Sequence, residues 1–344
     1  MSRLRILHAV RSDGFGGVEQ FVRRLAISQA AAGHVVHVIG GDPERMEPQL
    51  SANGVGHTGP PDSAIAVARA ISAHAGEADV LNTHMSAADL AAVWALAAVR
   101  HAPALVSTRH FASPRGRIGA LPIDTLVGRR IRAEISISDA VARAIGRPST
   151  VVHSGVPDAS EGTDRTRTVL IAQRLEAEKR TDHGIRAFAA SGLVERGWTL
   201  DVAGDGAERP ALEALTRALG IPATFLGFRT DLPSLFATAG MLLAPCPVEG
   251  LGLTVLEAMA AGLPVIAANG GGHTEILDGL DPRALYALEY PDAAAVSLRS
   301  LADDGAGRAA LGTAVRERQR SAFSLAAQVA GTDAVYRAAL GSAR

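Results

Sequence analysis

The sequence predicts an α/β protein of two domains, each built on a doubly wound parallel sheet, and three observations carry that reading. Short runs of branched aliphatic residues alternate with alanine-rich helical stretches, the pattern of parallel βα units. The alternation stops in a polar stretch after Asp158 and then starts again. The 344 residues, 47% hydrophobic and 20% charged, can fill a large core. That length exceeds the roughly 100 to 200 residues of one domain. No repeat of about 20 to 50 residues is visible, which excludes a solenoid and leaves two similar Rossmann-like layers.

Taken in order, Leu4–Val10 reads as the first strand; its apolar run ends at Arg11, too soon for a signal peptide. A helix over Val18–Ala32 and a strand over Val35–Gly40 follow. Helices over Ser63–His74 and Ala87–Arg100 then alternate with strands at Val80–Thr83, Ala104–Thr108, Glu134–Ser138 and Thr150–His153. Ala159 to Thr168 is polar, without apolar periodicity, and reads as a linker. The second alternation has strands at Val169–Ala172, Thr199–Ala203, Ala223–Leu226, Gly240–Ala244 and Pro264–Ala268. The expected domains are therefore 1–158 and 169–320, joined by 159–168, with 321–344 as a closing helix packed on the first domain. Two such domains can turn the carboxyl ends of their strands toward each other across a shared cleft.

Composition removes several function classes. With 34 basic and 35 acidic residues there is no global field to attract nucleic acid or anionic lipid. The single cysteine, Cys246, forms neither an internal disulfide nor a thiolate metal cluster, which fits a reducing cytoplasm. The longest apolar stretch, Leu90–Val99, falls well short of the roughly 18 residues of a membrane span. His34 and His37 lie three apart in a strand and so point to opposite faces, which argues against a shared metal. No paired aspartates follow a strand to hold magnesium. Gly14, Gly16 and Gly17 do not have the dinucleotide spacing, and Gly204-Asp-Gly206 lacks its third glycine, which speaks against a nicotinamide enzyme. His8 and His153 read as core or strand-end residues, and His84 stands at a strand end.

The most informative stretch runs from Pro245 to Ala267. A strand ends near Ala244, a turn containing Gly250, Leu251 and Gly252 follows, and a helix begins at about Leu253. Backbone N–H groups at such a glycine-lined helix start suit a phosphate. Glu249 in the turn and Glu257 in the helix can both face one crevice, where carboxylates accept hydrogen bonds from paired sugar hydroxyls. Each glutamate alone reads equally as a helix cap or a surface residue. Gly16 and Gly17 form a second glycine turn between a strand and a helix. Arg174 and Lys179, the only lysine of the chain, supply fixed cations for a phosphate-rich leaving group. His110 follows a strand end and reads either as structural or as a hydroxyl ligand.

Glu249 and Glu257 resemble the E-x7-E signature of retaining glycosyltransferases of family 4, which have the GT-B fold. The run Arg174-Leu-Glu-Ala-Glu-Lys179 is similar to the same family's R-L-x-x-x-K block, with Gln173 where the family has glycine. Val202–Gly206, Phe225–Arg229 and Gly270–Glu275 resemble further blocks, as do Gly16–Glu19, Thr108–His110 and Ile137–Val141. The resemblance covers nearly the whole chain in the expected order.

It implies two Rossmann-like domains of GT-B type and transfer of a sugar from a nucleoside diphosphate, UDP foremost, to an acceptor hydroxyl with retention, without a metal or other cofactor. Arg174, Lys179, Glu249 and His110 are the expected catalytic residues. Gly16, Gly17, Phe228, Arg229, Gly250, Leu251, Gly252, Leu253 and Glu257 are the expected donor contacts, with Glu257 on the ribose. The acceptor is unspecified and includes anionic ones. Arg115, Arg117, Arg129, Arg130 and Arg132 form a basic stretch suited to a membrane surface, with a solvated face as the plainer alternative. A nucleotide-sugar 2-epimerase of related fold and a catalytically silent nucleotide-sugar binder are the alternatives.

Overall fold

A computed structural model describes residues 2–59, 63–288, 290 and 292–341. It divides into two compact units, Met1–Gly155 together with Leu325–Arg344, and Val156–Ser324. The first contains β1 (Arg5–Val10), β2 (Val35–Ile39), β3 (Gly56–Thr58), β4 (Val80–His84) and β5 (Ala104–Arg109), then the small hairpin β6 (Arg117–Ile118) and β7 (Leu121–Pro122), then β8 (Ala133–Ser136) and β9 (Thr150–Val151). Its seven-stranded sheet has the order β3-β2-β1-β4-β5-β8-β9 and is parallel throughout. β4 and β5 are buried along their whole length, as central parallel strands covered on both faces must be. Leu7, Ile39, Val67, Ile71, Leu81 and Leu105 form its apolar core on one face.

The second unit contains β10 (Thr168–Ala172), β11 (Thr199–Ala203), β12 (Ala223–Gly227), β13 (Met241–Ala244), β14 (Val265–Ala268) and β15 (Leu285–Tyr286). Its order, β12-β11-β10-β13-β14-β15, is the doubly wound arrangement, which reverses direction between β10 and β13. Both sheets thus have the fold the sequence predicts. Three features escape the aliphatic pattern: β3, β15 and the hairpin are only two or three residues long. The strand expected to reach Ser138 stops at Ser136, because the Ser138 hydroxyl accepts from Val141 N at 3.0 Å and caps the next helix.

The boundaries need correction. Residues 159–168, expected as a linker, are part of the second unit. Gly162 N donates to Ala261 O at 3.0 Å and Thr166 N to Thr238 O at 2.7 Å. The Arg165 guanidinium donates to Phe236, Ala239 and Ala261 carbonyls at 2.7–3.0 Å. Polarity there reflects hydrogen bonding, not separation. Likewise 321–324 stay with the second unit, and the closing helix is Leu325–Gly341. Residues 342–344 of the expected closing segment lie outside the described residues. Within the first unit this helix contributes Asp333, 2.7 Å from His34 Nε2, and Tyr336, whose hydroxyl accepts from Asn82 Nδ2 at 2.7 Å.

Arg115 also departs from expectation: it belongs to no basic surface. It is 4% exposed. Its Nε donates to Asp89 at 2.6 Å, and its Nη atoms reach Asp124 at 2.5 Å, Glu134 at 2.7 Å and Ser107 at 2.8 Å. Burial works against its charge, but the surrounding carboxylates overcome that cost and hold it protonated. Arg117, Arg129, Arg130 and Arg132 do lie on the surface. Among the described residues no helix is long and apolar enough to cross a membrane.

Replacing Arg115 with methionine leaves Asp89 buried without its cation, while Glu134 keeps Arg109 and Arg147. Breaking such a pair costs about 3–5 kcal/mol. Urea unfolding of Arg115→Met should show a loss of that order, and an unchanged midpoint would contradict the network.

Candidate functional site

In the second unit the loops leaving β10 and β13 emerge side by side, because these strands are parallel neighbours at the point where the sheet order reverses. The first loop presents Lys179 and the second Glu249. They meet: Lys179 Nζ donates to Glu249 Oε1, with side chains 15% and 24% exposed. Burial pushes the Glu249 carboxyl up, but the adjacent lysine charge and its hydrogen bond bring it below the ordinary glutamate value. Cys246 lies against the same carboxylate, and burial together with that negative charge pushes its thiol up. His273 is buried beside them and is kept below the usual histidine range by burial.

Backbone geometry fixes this arrangement. Gly252 has φ +106°, and a Cβ there would lie 2.9 Å from His273 Cδ2, so only glycine fits at the start of the helix Leu253–Ala260. A Cβ on Gly272 would fall 2.2 Å from Leu251 Cα, while its N–H donates to Glu249 O at 2.9 Å. The glycine turns after β13 and β14 are therefore packed directly on each other, and Glu249 is held at backbone level. Gln173, the departure from the family's glycine, has a visible role: its amide donates to Lys179 O and to Thr181 Oγ1, both at 2.9 Å. It clamps the loop that carries Lys179.

The remaining expected donor residues are placed less closely. Arg174 is turned to solvent, 68% exposed, and pairs with Glu178 at 3.1 Å. Glu257 is half-buried on the helix that starts at Leu253, and Leu251 is buried; Gly250 and Leu253 are half-buried. Phe228 is exposed, and Arg229 pairs with Asp231 at 2.5 Å; both follow the edge strand β12.

In the first unit Gly16 precedes the helix Gly17–Ala31, but its N–H already donates to Glu19 at 2.7 Å, so the expected cradle has one donor fewer. His110 follows β5 and is 7% exposed. Its Nε2 lies 3.0 Å from His84 Nδ1; His84 Nε2 lies 3.1 Å from His8 Nδ1; and His8 Nε2 lies 2.8 Å from Gln29 Oε1. All three rings are held neutral by burial, which pushes His8 down to about 4 and His110 to about 3, with His84 also well below its ordinary value. The sequence reads His8 as a core or strand-end residue and His84 as a strand-end residue. What it lacked was the strand order that sets β1, β4 and β5 next to each other.

Residues 15–159 match the family model "Glycosyltransferase Family 4", and residues 158–318 match "Glycosyl transferases group 1". A GDP-mannose-dependent alpha-(1-6)-phosphatidylinositol dimannoside mannosyltransferase of Mycobacterium tuberculosis is 37% identical over 134 residues, which are 37% of this chain and 33% of that protein. The chain thus spans a third of that curated relative's length. A lipopolysaccharide core biosynthesis mannosyltransferase, LpcC of Rhizobium leguminosarum, is 27% identical over 63% of this chain and 67% of its own. Among solved structures, Anabaena Alr3699/HepE in complex with UDP superimposes with a TM-score of 0.81 at 18% identity, covering 97% of this chain and 100% of that one. The fold is GT-B.

The neutral histidines make the first unit sensitive to acid. Unfolded histidines take up protons below the ordinary value of 6.5, which His8, His84 and His110 do not do while folded. Their contribution to stability is complete above pH 6.5 and is lost as pH falls toward about 4. The urea midpoint should therefore fall between about pH 6.5 and pH 5, above the range where carboxylates titrate. A flat midpoint across that interval would show that the rings take up protons in the native state as they do in the unfolded chain.

Proposed function

We propose, for a chain that belongs with the glycosyltransferases of GT-B fold, that it moves a sugar from a nucleoside diphosphate to an acceptor hydroxyl with retention at the anomeric carbon. The observation that carries this reading is the contact of Lys179 with Glu249 beside the glycine-lined start of the helix Leu253–Ala260. A diphosphate brought to that point gains the lysine charge and the helix N–H groups, and Glu249, released from its partner, is free to accept from sugar hydroxyls. Glu257 binds the ribose in this reading. Arg174, exposed in the present conformation, turns in to the diphosphate.

As the bond between the anomeric carbon and the leaving phosphate oxygen breaks, negative charge grows on the diphosphate, where a fixed cation is worth most. The acceptor oxygen forms its new bond on the same face, and its proton passes to the leaving phosphate. Lys179, Arg174 and the helix start meet that charge without a divalent cation. His110 meets a hydroxyl of the sugar or the acceptor. The exposed Arg117, Arg129, Arg130 and Arg132 suit an anionic acceptor.

UDP is the foremost nucleotide: the Anabaena neighbour was solved with UDP and with UDP-glucose. GDP is the second reading, favoured by the GDP-mannose dependence in the name of the mycobacterial relative. A thermal-shift comparison decides between them, since a ligand at a hundred times its Kd adds about 2.7 kcal/mol. UDP should raise Tm and GDP should not; the reverse result assigns GDP, and no shift with either removes the nucleotide site.

Lys179→Ala leaves Glu249 without its cation and should lower Tm; assayed well below that Tm, where circular dichroism is native, it should still lower turnover of the stabilising nucleotide's sugar by about a hundredfold or more. Wild-type turnover in that variant would sink the diphosphate assignment. Activity should also survive EDTA; a loss on chelation that magnesium or manganese restores would mean that a metal shares the role given to Lys179.

A further inference from the structure

The side chains Gln29, His8, His84 and His110 form one continuous chain inside the first unit, and the Gln29 amide atom that meets His8 sets the order of its hydrogen bonds. The Gln29 amide oxygen only accepts, so His8 carries its proton on Nε2. His8 Nδ1 is then a bare acceptor, and the proton between it and His84 sits on His84 Nε2. The same step places the next proton on His110 Nε2, donated to His84 Nδ1. His110 Nδ1 is left as a lone pair, and the one ring contact of His110 to another side chain of the row is through Nε2. Gln29, His8 and His84 are fully buried, and Phe21 packs edge-on against both His84 and His110 at ring distances of 5.8 and 4.7 Å. The rings cannot easily turn over, and water cannot break the sequence of donors.

We propose that Gln29, His8 and His84 are positioning residues that fix His110 with its proton on Nε2, so that its Nδ1 selects a ligand hydroxyl over a phosphate, carboxylate or carbonyl. The choice follows from donor chemistry. A hydroxyl can donate to the Nδ1 lone pair, whereas an oxygen that only accepts would face it lone pair to lone pair. Each donation along the chain polarises the next, so giving up the Nε2 proton toward His84 makes Nδ1 a better acceptor. The opposite order would present an N–H at the same point and favour anions. The selection of a hydroxyl rests on the reading of His110 as a substrate contact given above; the order of protons does not.

The two parts are tested separately. Long-range nitrogen–proton spectra of the whole 15N-labelled chain at pH 7, assigned with His110→Gln, report which ring nitrogen carries the proton. The expected result is protonated Nε2 and bare Nδ1 at His110. In Gln29→Leu and His8→Phe, where the anchor of the order is gone, the His110 signals should move toward a mixture of both forms while circular dichroism stays native. A proton on Nδ1 of His110 in the wild type overturns the proposal, and this holds even if neither variant folds. An unmixed Nε2 form in either folded variant overturns the part given to Gln29 and His8. Adding UDP-glucose or GDP-mannose should then shift the His110 Nδ1 resonance toward its hydrogen-bonded position with at least one of them. No shift with either overturns the selection of a hydroxyl and, with the proton order intact, removes His110 from the substrate contacts.

Discussion

Polar groups inside the fully covered sheet of the first unit must be hydrogen-bonded, and much of that unit follows from this requirement. β4 and β5 carry Asn82, Thr83, His84, Ser107, Thr108 and Arg109, all buried. An unpaired group of this kind costs roughly 1–3 kcal/mol, more when charged. Thr108 donates to Asn82 at 2.9 Å, and Asn82 donates to Tyr336 of the closing helix. Thr83 donates to Asp89, which Arg115 neutralises; Arg109 is held by Glu134 at 3.1 Å. The C-terminal helix therefore completes the polar interior of the first unit as well as its apolar packing.

The second unit solves a different problem. Its central strands β10, β13 and β14 are almost wholly aliphatic, and its chemistry is displaced to the loops at their carboxyl ends. There a lysine and a glutamate, both largely shielded from water, neutralise each other. In the absence of ligand this pair spares each charge an unpaired burial, whose cost would be several kcal/mol. In the proposed function, a diphosphate takes the place of Glu249 beside Lys179.

The strand pattern and the residues of the second-unit candidate site are legible because both are local. Aliphatic runs give β1, β4, β5, β10, β11, β13 and β14 within one or two residues, and Glu249, Gly252 and Lys179 stand in short recognisable strings. Contacts between distant positions were not legible. Arg115 sits in a run of arginines and looks like surface until Asp89 and Glu134 are seen to close around it. Ala159–Thr168 looks like a linker because nothing in its own composition reveals that Arg165 donates to carbonyls 71 to 96 residues away. The histidine chain joins residues 21, 76 and 26 positions apart. Only the order of strands in the sheet makes them neighbours.

The two units thus handle charge in opposite ways. Burial in the first unit removes charge: His8, His84 and His110 are neutral, so whatever they read is read by hydrogen-bond direction alone. Pairing in the second unit preserves charge, and Glu249 remains ionised despite its burial because Lys179 lies against it. Direction discriminates between a hydroxyl and an anion of similar size, whereas charge discriminates little among anions but supplies most of the attraction. Gln173 and Gln29 play corresponding parts in this division, the first clamping the loop of the cation and the second setting the order of the neutral rings.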